Sequence, residues 1–205
     1  MLPSFAFFLA ACVLAVTPGP GIAYVVARTA AGGRAEGLAS CIGTGLGGLL
    51  HVGAAALGLS VLLAESAAAF SIVKYVGAAY LLYLGIRLLL SKAGSTPAQA
   101  NSTGARRALL EGILVEALNV KTALFFLAFL PQFLIDGRSV VDQLVVMGAV
   151  CVALNTLVDV AAVLGAERLF RSEASGRRRA RVLNKVSGLT LVGLGLYVAA
   201  SKRGA

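Results

Sequence analysis

The chain has 205 residues, 59% hydrophobic and 13% charged, with no tryptophan, a mean hydropathy of +0.89 and a formal net charge of +9. A soluble domain of this length carries more charge and shorter apolar segments, which excludes a soluble enzyme and favours a helical membrane protein. The basic residues fall in short loops between apolar runs, where the positive-inside rule accounts for them better than nucleic acid does.

Roughly 20 apolar residues cross the hydrocarbon core. On that measure six spans are predicted, at 4–27, 37–63, 71–90, 109–134, 141–165 and 186–201. The reading is an all-α membrane protein of one domain. The N-terminus reads as an uncleaved first span, because no basic residue precedes Leu9-Ala10-Ala11-Cys12.

Span one is interrupted halfway by TPGPG (17–21). The residue before a proline is pushed out of the helical region, so Thr17 ends a first half-helix. With Thr17 as N-cap of the next half, Pro18 is N1 and Pro20 is N3, both in the turn whose N–H groups lack intrahelical partners. Gly19 and Gly21 let a backbone or a ligand approach closely. A simple proline kink is the alternative.

Span two carries Cys41, His51 and the glycines Gly43, Gly47 and Gly48, which suit close helix packing. Span three runs KYVGAAYLLYLG onward. SKAGSTPAQANSTGARR (91–107) is a flexible linker by composition. Span four holds a second break, EALNVK (116–121), where Asn119 is a strong N-cap type with Val120 at N1 and Lys121 at N2. Span five carries Cys151, Asn155 and Asp159, and the loop after it is strongly basic.

Thirteen Lys and Arg lie in the loops after spans one, three and five, against four on the other side. That asymmetry puts the odd loops in the cytoplasm and both termini outside. The 177–181 cluster reads as a topology signal that also suits anionic lipid.

Span three starts K-x-x-G at Lys74 and ends SK at Lys92; span six starts K-x-x-G at Lys185 and ends SK at Lys202. HVGAAALG (51–58) and DVAAVLG (159–165) match in the same order. Three spans is an odd number, so the second copy must be inverted. The chain thus divides into repeat one (4–92), a linker (93–107) and repeat two (108–202), a 3+3 inverted repeat with broken helices one and four.

Each break would set a half-helix N-terminus near the midplane, where its free N–H groups and partial positive charge suit a carboxylate. Broken backbone in a bilayer needs protein or water to satisfy it, which implies a cavity. Four polar residues inside the spans stand out: His51, Glu116, Lys121 and Asp159. Glu116 and Lys121 flank the Asn119 break. They are either a neutralising pair or working groups, with Lys121 on a substrate carboxylate and Glu116 on its amine or on a coupling proton. His51 and Asp159 occupy matching places in the repeat; they are either proton carriers or interhelical hydrogen-bonding groups, and Asn155, one turn from Asp159, fits both roles.

TPGPG, GGRAEGL, G-x-G-x-x-x-L-L-H-V, KYVGAAYLLYLGIRLL and FFLAFLPQF together closely resemble the lysine-exporter/homoserine-threonine-resistance (LysE/RhtB-type) family of bacterial amino-acid exporters. The resemblance covers nearly the whole chain. It implies export of amino acids or derivatives from the cytoplasm, driven by the proton-motive force, with no cofactor. The family's first-span motif maps to Thr17, Pro18, Gly19 and Pro20, and its Asn-Pro-Lys to Asn119, Val120 and Lys121. Four departures bear on substrate or coupling. Val120 replaces a proline, Gly21 stands where the family often has Asn, Glu116 where a neutral polar residue is usual, and Gly48 replaces an acid.

Other readings are a metal-cation exporter of a related family, a membrane thiol oxidoreductase and an assembly protein. Cys12, Cys41 and Cys151 form neither a C-x-x-C nor a visible ligand cluster. An assembly protein would not need two midplane breaks. The expected partners are an amino-acid substrate, protons and lipid, and small-residue faces would support a homodimer.

Overall fold

The computed structural model describes residues 4–59, 67–90 and 102–169, and helical residues 185, 188, 189, 191–193, 195, 196, 199 and 200. The linker up to Asn101, the 177–181 cluster and the rest of span six lie outside the described residues.

Within the described residues the chain is all-helical. Helix α1 (Phe5–Val16) leads to α2 (Pro20–Ala54), which runs on into a π-helical turn (Ala55–Leu59). Then come α3 (Ala67–Leu90), α4 (Ala105–Ala117), α5 (Val120–Ala128) with a 3-10 turn at Leu130–Phe133, and α6 (Val140–Leu169). Two helices among the described residues are long and apolar enough to cross a membrane, Pro20–Gly58 and Val140–Gly165. The pair Ala105–Ala117 and Val120–Phe133, bent by 44°, makes a third if counted as one span.

The first predicted span is α1 plus the start of α2. Ser4 caps α1, accepting from the Phe7 N–H at 3.3 Å. Inside α2, Gly33 takes a φ of 73° and a ψ of −166°, which divides it into two helical stretches within the predicted loop. Gly32 beside it leaves room for the carboxyl of Glu36, which a Cβ at 32 would overlap.

In α2 the usual amphipathic pattern is reversed. Leu38, Ile42, Leu46 and Leu49 share an exposed face at helical spacing, while Gly37, Ser40, Gly43, Thr44, Gly47 and Gly48 are buried. That is the pattern of a helix whose outer solvent is lipid, where close packing of small residues replaces hydrophobic burial as the drive to associate. The α2–α4 contact is backbone against backbone. A Cβ at Gly43 would overlap the Leu109 carbonyl oxygen, and one at Gly112 would stand 2.9 Å from Ser40 O. Gly37 and Gly48 face α6 differently, with room for the side chains of Val163 and Val152.

A packed apolar cluster closes one side. Phe7 and Leu14 of α1 meet Phe125, Phe126 and Phe129 from α5 and its end, and Leu144, Met147 and Cys151 of α6. Phe125 and Phe129 stack with centroids 4.8 Å apart, and Phe7 meets Phe133 edge-on. The two K-x-x-G glycines make different contacts. Gly77 lies against Ala128, whereas Gly188 lies against Gly85 and Leu89 of α3.

Candidate functional site

The first break falls at TPGPG and Thr17 ends the first half-helix, as predicted, but Thr17 is not the N-cap of the next one. Thr17 is the C-cap of α1, with its N–H and its Oγ1 both donating to Val13 O, at 3.0 and 2.7 Å. The N-cap of α2 is Gly19, in extended backbone, and Pro20 is N1. Two prolines spaced by one residue allow either register. The register found leaves the Thr17 carbonyl outside any helix, where Lys121 reaches it: Nζ donates to Thr17 O at 2.9 Å and to Leu14 O at 3.3 Å. The last carbonyls of α1 lack intrahelical partners and form the negative end of that helix, so an ammonium is a fitting cap. Gly19 makes the approach possible, since a Cβ there would lie 3.0 Å from Nζ.

The second break forms as predicted, without a proline. Asn119 is the N-cap of α5, and its Oδ1 accepts from Lys121 N at 3.1 Å. Its Nδ2 donates to Glu116 Oε2 at 3.0 Å, and Thr122 Oγ1 donates to Glu116 Oε1 at 2.7 Å. Glu116 and Lys121 therefore do not neutralise each other by direct pairing. The carboxylate is held by two neutral donors and the ammonium by two carbonyls. His51 Nε2 lies 2.7 Å from Glu116 O. A carbonyl only accepts, so that nitrogen carries the proton.

Between the breaks is a cavity with about 400 Å³ of empty space, counting the part open to solvent. Gly21, Ile22, Thr44, Gly45 and Gly48 of α2 border it on one side, and Asn155, Thr156 and Asp159 of α6 on another. Glu116, Asn119, Lys121 and Thr122 close it from the second break. Of the predicted site residues, the structure thus brings together Gly21, Asn119, Lys121, Glu116, Asn155 and Asp159. His51 stands behind Glu116, and Thr17 and Gly19 behind Lys121; Pro18 and Pro20 shape the break. His51 and Asp159 have separate partners: Thr44 Oγ1 lies 2.9 Å from Asp159 Oδ2, and also 3.1 Å from Cys41 O. Gly21 is matched to Glu116, because a Cβ at 21 would lie 2.8 Å from Glu116 Oε2.

A second polar cluster lies at the other end of α4. Arg28 Nη2 donates to Glu111 Oε2 at 2.8 Å, Nη1 to Thr103 Oγ1 at 2.8 Å, and Nη1 is 3.8 Å from Glu36 Oε2. Glu36 Oε1 accepts from Ser102 Oγ, Thr103 N and Gly104 N at 2.6, 3.0 and 2.7 Å. Those donors, the Ser102 hydroxyl first, hold its carboxyl below the usual carboxylate range. Tyr24 OH, at 2.8 Å from Ala108 O and 3.2 Å from Glu111 Oε2, completes the join. Sequence reasoning missed this cluster. Its signal was present: acids at 36 and 111, each close in sequence to arginines (Arg34; Arg106 and Arg107), where topology alone calls for none.

The family model for LysE type translocators matches residues 12–202. The chain belongs to the LysE family. Among its relatives, an uncharacterized membrane protein of Vibrio cholerae is 30% identical over 198 residues, 96% of each chain. The homoserine/homoserine lactone efflux protein of Salmonella typhimurium is 30% identical over 204 residues, covering 97% of this chain and 96% of the relative. An uncharacterized membrane protein of Bacillus subtilis is 27% identical over 201 residues, covering 93% and 95%. No solved structure matches the chain. Membership makes this a multi-pass membrane transporter.

Proposed function

We propose that the chain exports amino acids or their derivatives from the bacterial cytoplasm across the inner membrane, as a secondary transporter driven by the proton-motive force. The observation that carries the reading is a polar cavity bordered by two helix breaks, in a LysE-family chain with a homoserine-exporting relative. The arrangement adopted is six spans in a 3+3 inverted repeat with both termini outside. It rests on the sequence repeat and on the charge asymmetry. A substrate carboxyl, where there is one, lies toward the orphan N–H groups of Gly21 and Ile22 at the start of α2. Asp159, Glu116 and His51 are the candidates for carrying the coupled proton, with Asn155, one turn from Asp159, as a hydrogen-bonding group beside that path. The Arg28–Glu36–Glu111 cluster is on the arginine-rich, cytoplasmic side and has to part for loading. No specific observation favours a metal as cargo, since no three His, Cys, Asp or Glu converge among the described residues.

The test is export from a bacterial host fed dipeptides to raise internal amino acids, with the medium analysed by mass spectrometry. Release of one or a few amino acids, abolished by an uncoupler and absent with empty vector, is the expected result. No release from correctly inserted protein would overturn the reading.

A further inference from the structure

We propose that Asp159 takes the ammonium group of the transported molecule and that recognition does not require a free carboxylate at its other end. Amino acids with a masked carboxyl group, such as amides and lactones, are then carried at least as well as free ones. This rests on the exporter reading.

The charged groups bordering the cavity are unequally engaged. Both oxygens of Glu116 already accept hydrogen bonds, from Asn119 and Thr122. Lys121 gives two of its three protons to the Leu14 and Thr17 carbonyls, at the negative end of α1. A carboxylate would meet one remaining proton of an ammonium that is partly neutralised already. Asp159 is different. It is only 4% exposed, its Oδ2 has a hydroxyl partner that also faces Cys41 O, and its Oδ1 accepts no hydrogen bond from the described residues. A buried carboxylate this poorly supplied with donors is costly. An ammonium ligand brings three donors and the opposite charge.

The charge count points the same way. Two carboxylates and one ammonium border the cavity, a formal charge of −1 when all are ionised. A zwitterionic amino acid leaves that charge in place, within the membrane. A monocation, such as an amino-acid amide or lactone, cancels it. Gly45, Gly48 and Val152 complete the wall without adding a cation.

The experiment is counterflow in lipid vesicles holding the purified full-length chain. A labelled amino acid, chosen from a panel as the one exchanged fastest, is competed with its amide and with its N-acetyl derivative. The amide is expected to inhibit at or below the concentration at which the free acid does, and the N-acetyl form at least tenfold more weakly. Asp159→Asn is expected to weaken inhibition by the amide more than tenfold, with Asp159→Glu keeping the wild-type ranking. Equal inhibition by the N-acetyl form, or none by the amide, overturns the assignment while leaving the exporter reading intact. Counterflow of no amino acid overturns the exporter reading itself. The wild-type ranking decides even if Asp159→Asn fails to fold.

Discussion

Lys121 belongs to α5, yet its Nζ rests 2.9 Å from the carbonyl oxygen of Thr17 at the end of α1. One side chain therefore starts at the second helix break and ends at the first. It carries charge from the positive end of one half-helix to the negative end of another, the favourable direction.

Lys121→Met leaves the Leu14 and Thr17 carbonyls without a charged donor. Losing such bonds in a buried place costs about 1.5–3 kcal/mol. The variant is expected to unfold at lower temperature in detergent while still binding amines. Wild-type stability with lost amine binding would count against a tie between the breaks.

Gly21→Ala places a methyl group against Glu116, its carbon 2.8 Å from Oε2. Oε2 must then shift, which disturbs its bond from Asn119, and transport is expected to fall. Glu116→Ala in the same chain removes the clash. The double variant is expected to transport better than the additive sum of the singles, a coupling that a double-mutant cycle measures.

Glu36→Gln keeps the shape of the clasp on Ser102, Thr103 and Gly104 but removes its charge. The folded carboxyl titrates below its ordinary value, so its contribution is full above the unfolded value, roughly pH 4.3. It is lost as pH falls through the lower folded value. Heat-denaturation midpoints of wild type and variant should therefore differ at neutral pH and converge on acidification. A gap that stays constant with pH would refute the assignment.

Gly43→Ala raises helix propensity by up to about 1 kcal/mol. It also drives a methyl group into the Leu109 carbonyl oxygen of α4. Overpacking of this kind costs about 1–3 kcal/mol, and here the obstacle is backbone, which yields least. Net destabilisation in a thermal melt is expected, and unchanged stability would mean that α2 and α4 separate without cost.

The two breaks were legible because proline, glycine and asparagine act locally. Asn119 caps α5 as its chemistry dictates, and the missing proline at 120 does not prevent the break. The register at TPGPG was not legible, because Thr17–Pro18 and Gly19–Pro20 are both good starts. The choice falls with the Lys121 contact, made across 104 residues of sequence. The Glu36 clasp was hidden for the same reason. Its donors come from Ser102 to Gly104, and nothing within GGRAEGL announces them. Gly21 and Glu116 stand 95 positions apart in the sequence, but in the structure they meet, since a Cβ at 21 would lie 2.8 Å from Glu116 Oε2.

Gly33 turns the chain with a φ of 73° and a ψ of −166°, and beyond its own local backbone no atom lies within 4 Å of where its Cβ would be. Room is therefore not what keeps other residues out. An L-alanine there would be held in backbone space that belongs almost wholly to glycine, at about 1–3 kcal/mol. The mirror image of this conformation is ordinary extended backbone. A D-alanine placed at 33 by chemical ligation would thus sit without strain, because the turn selects for handedness and is indifferent to size.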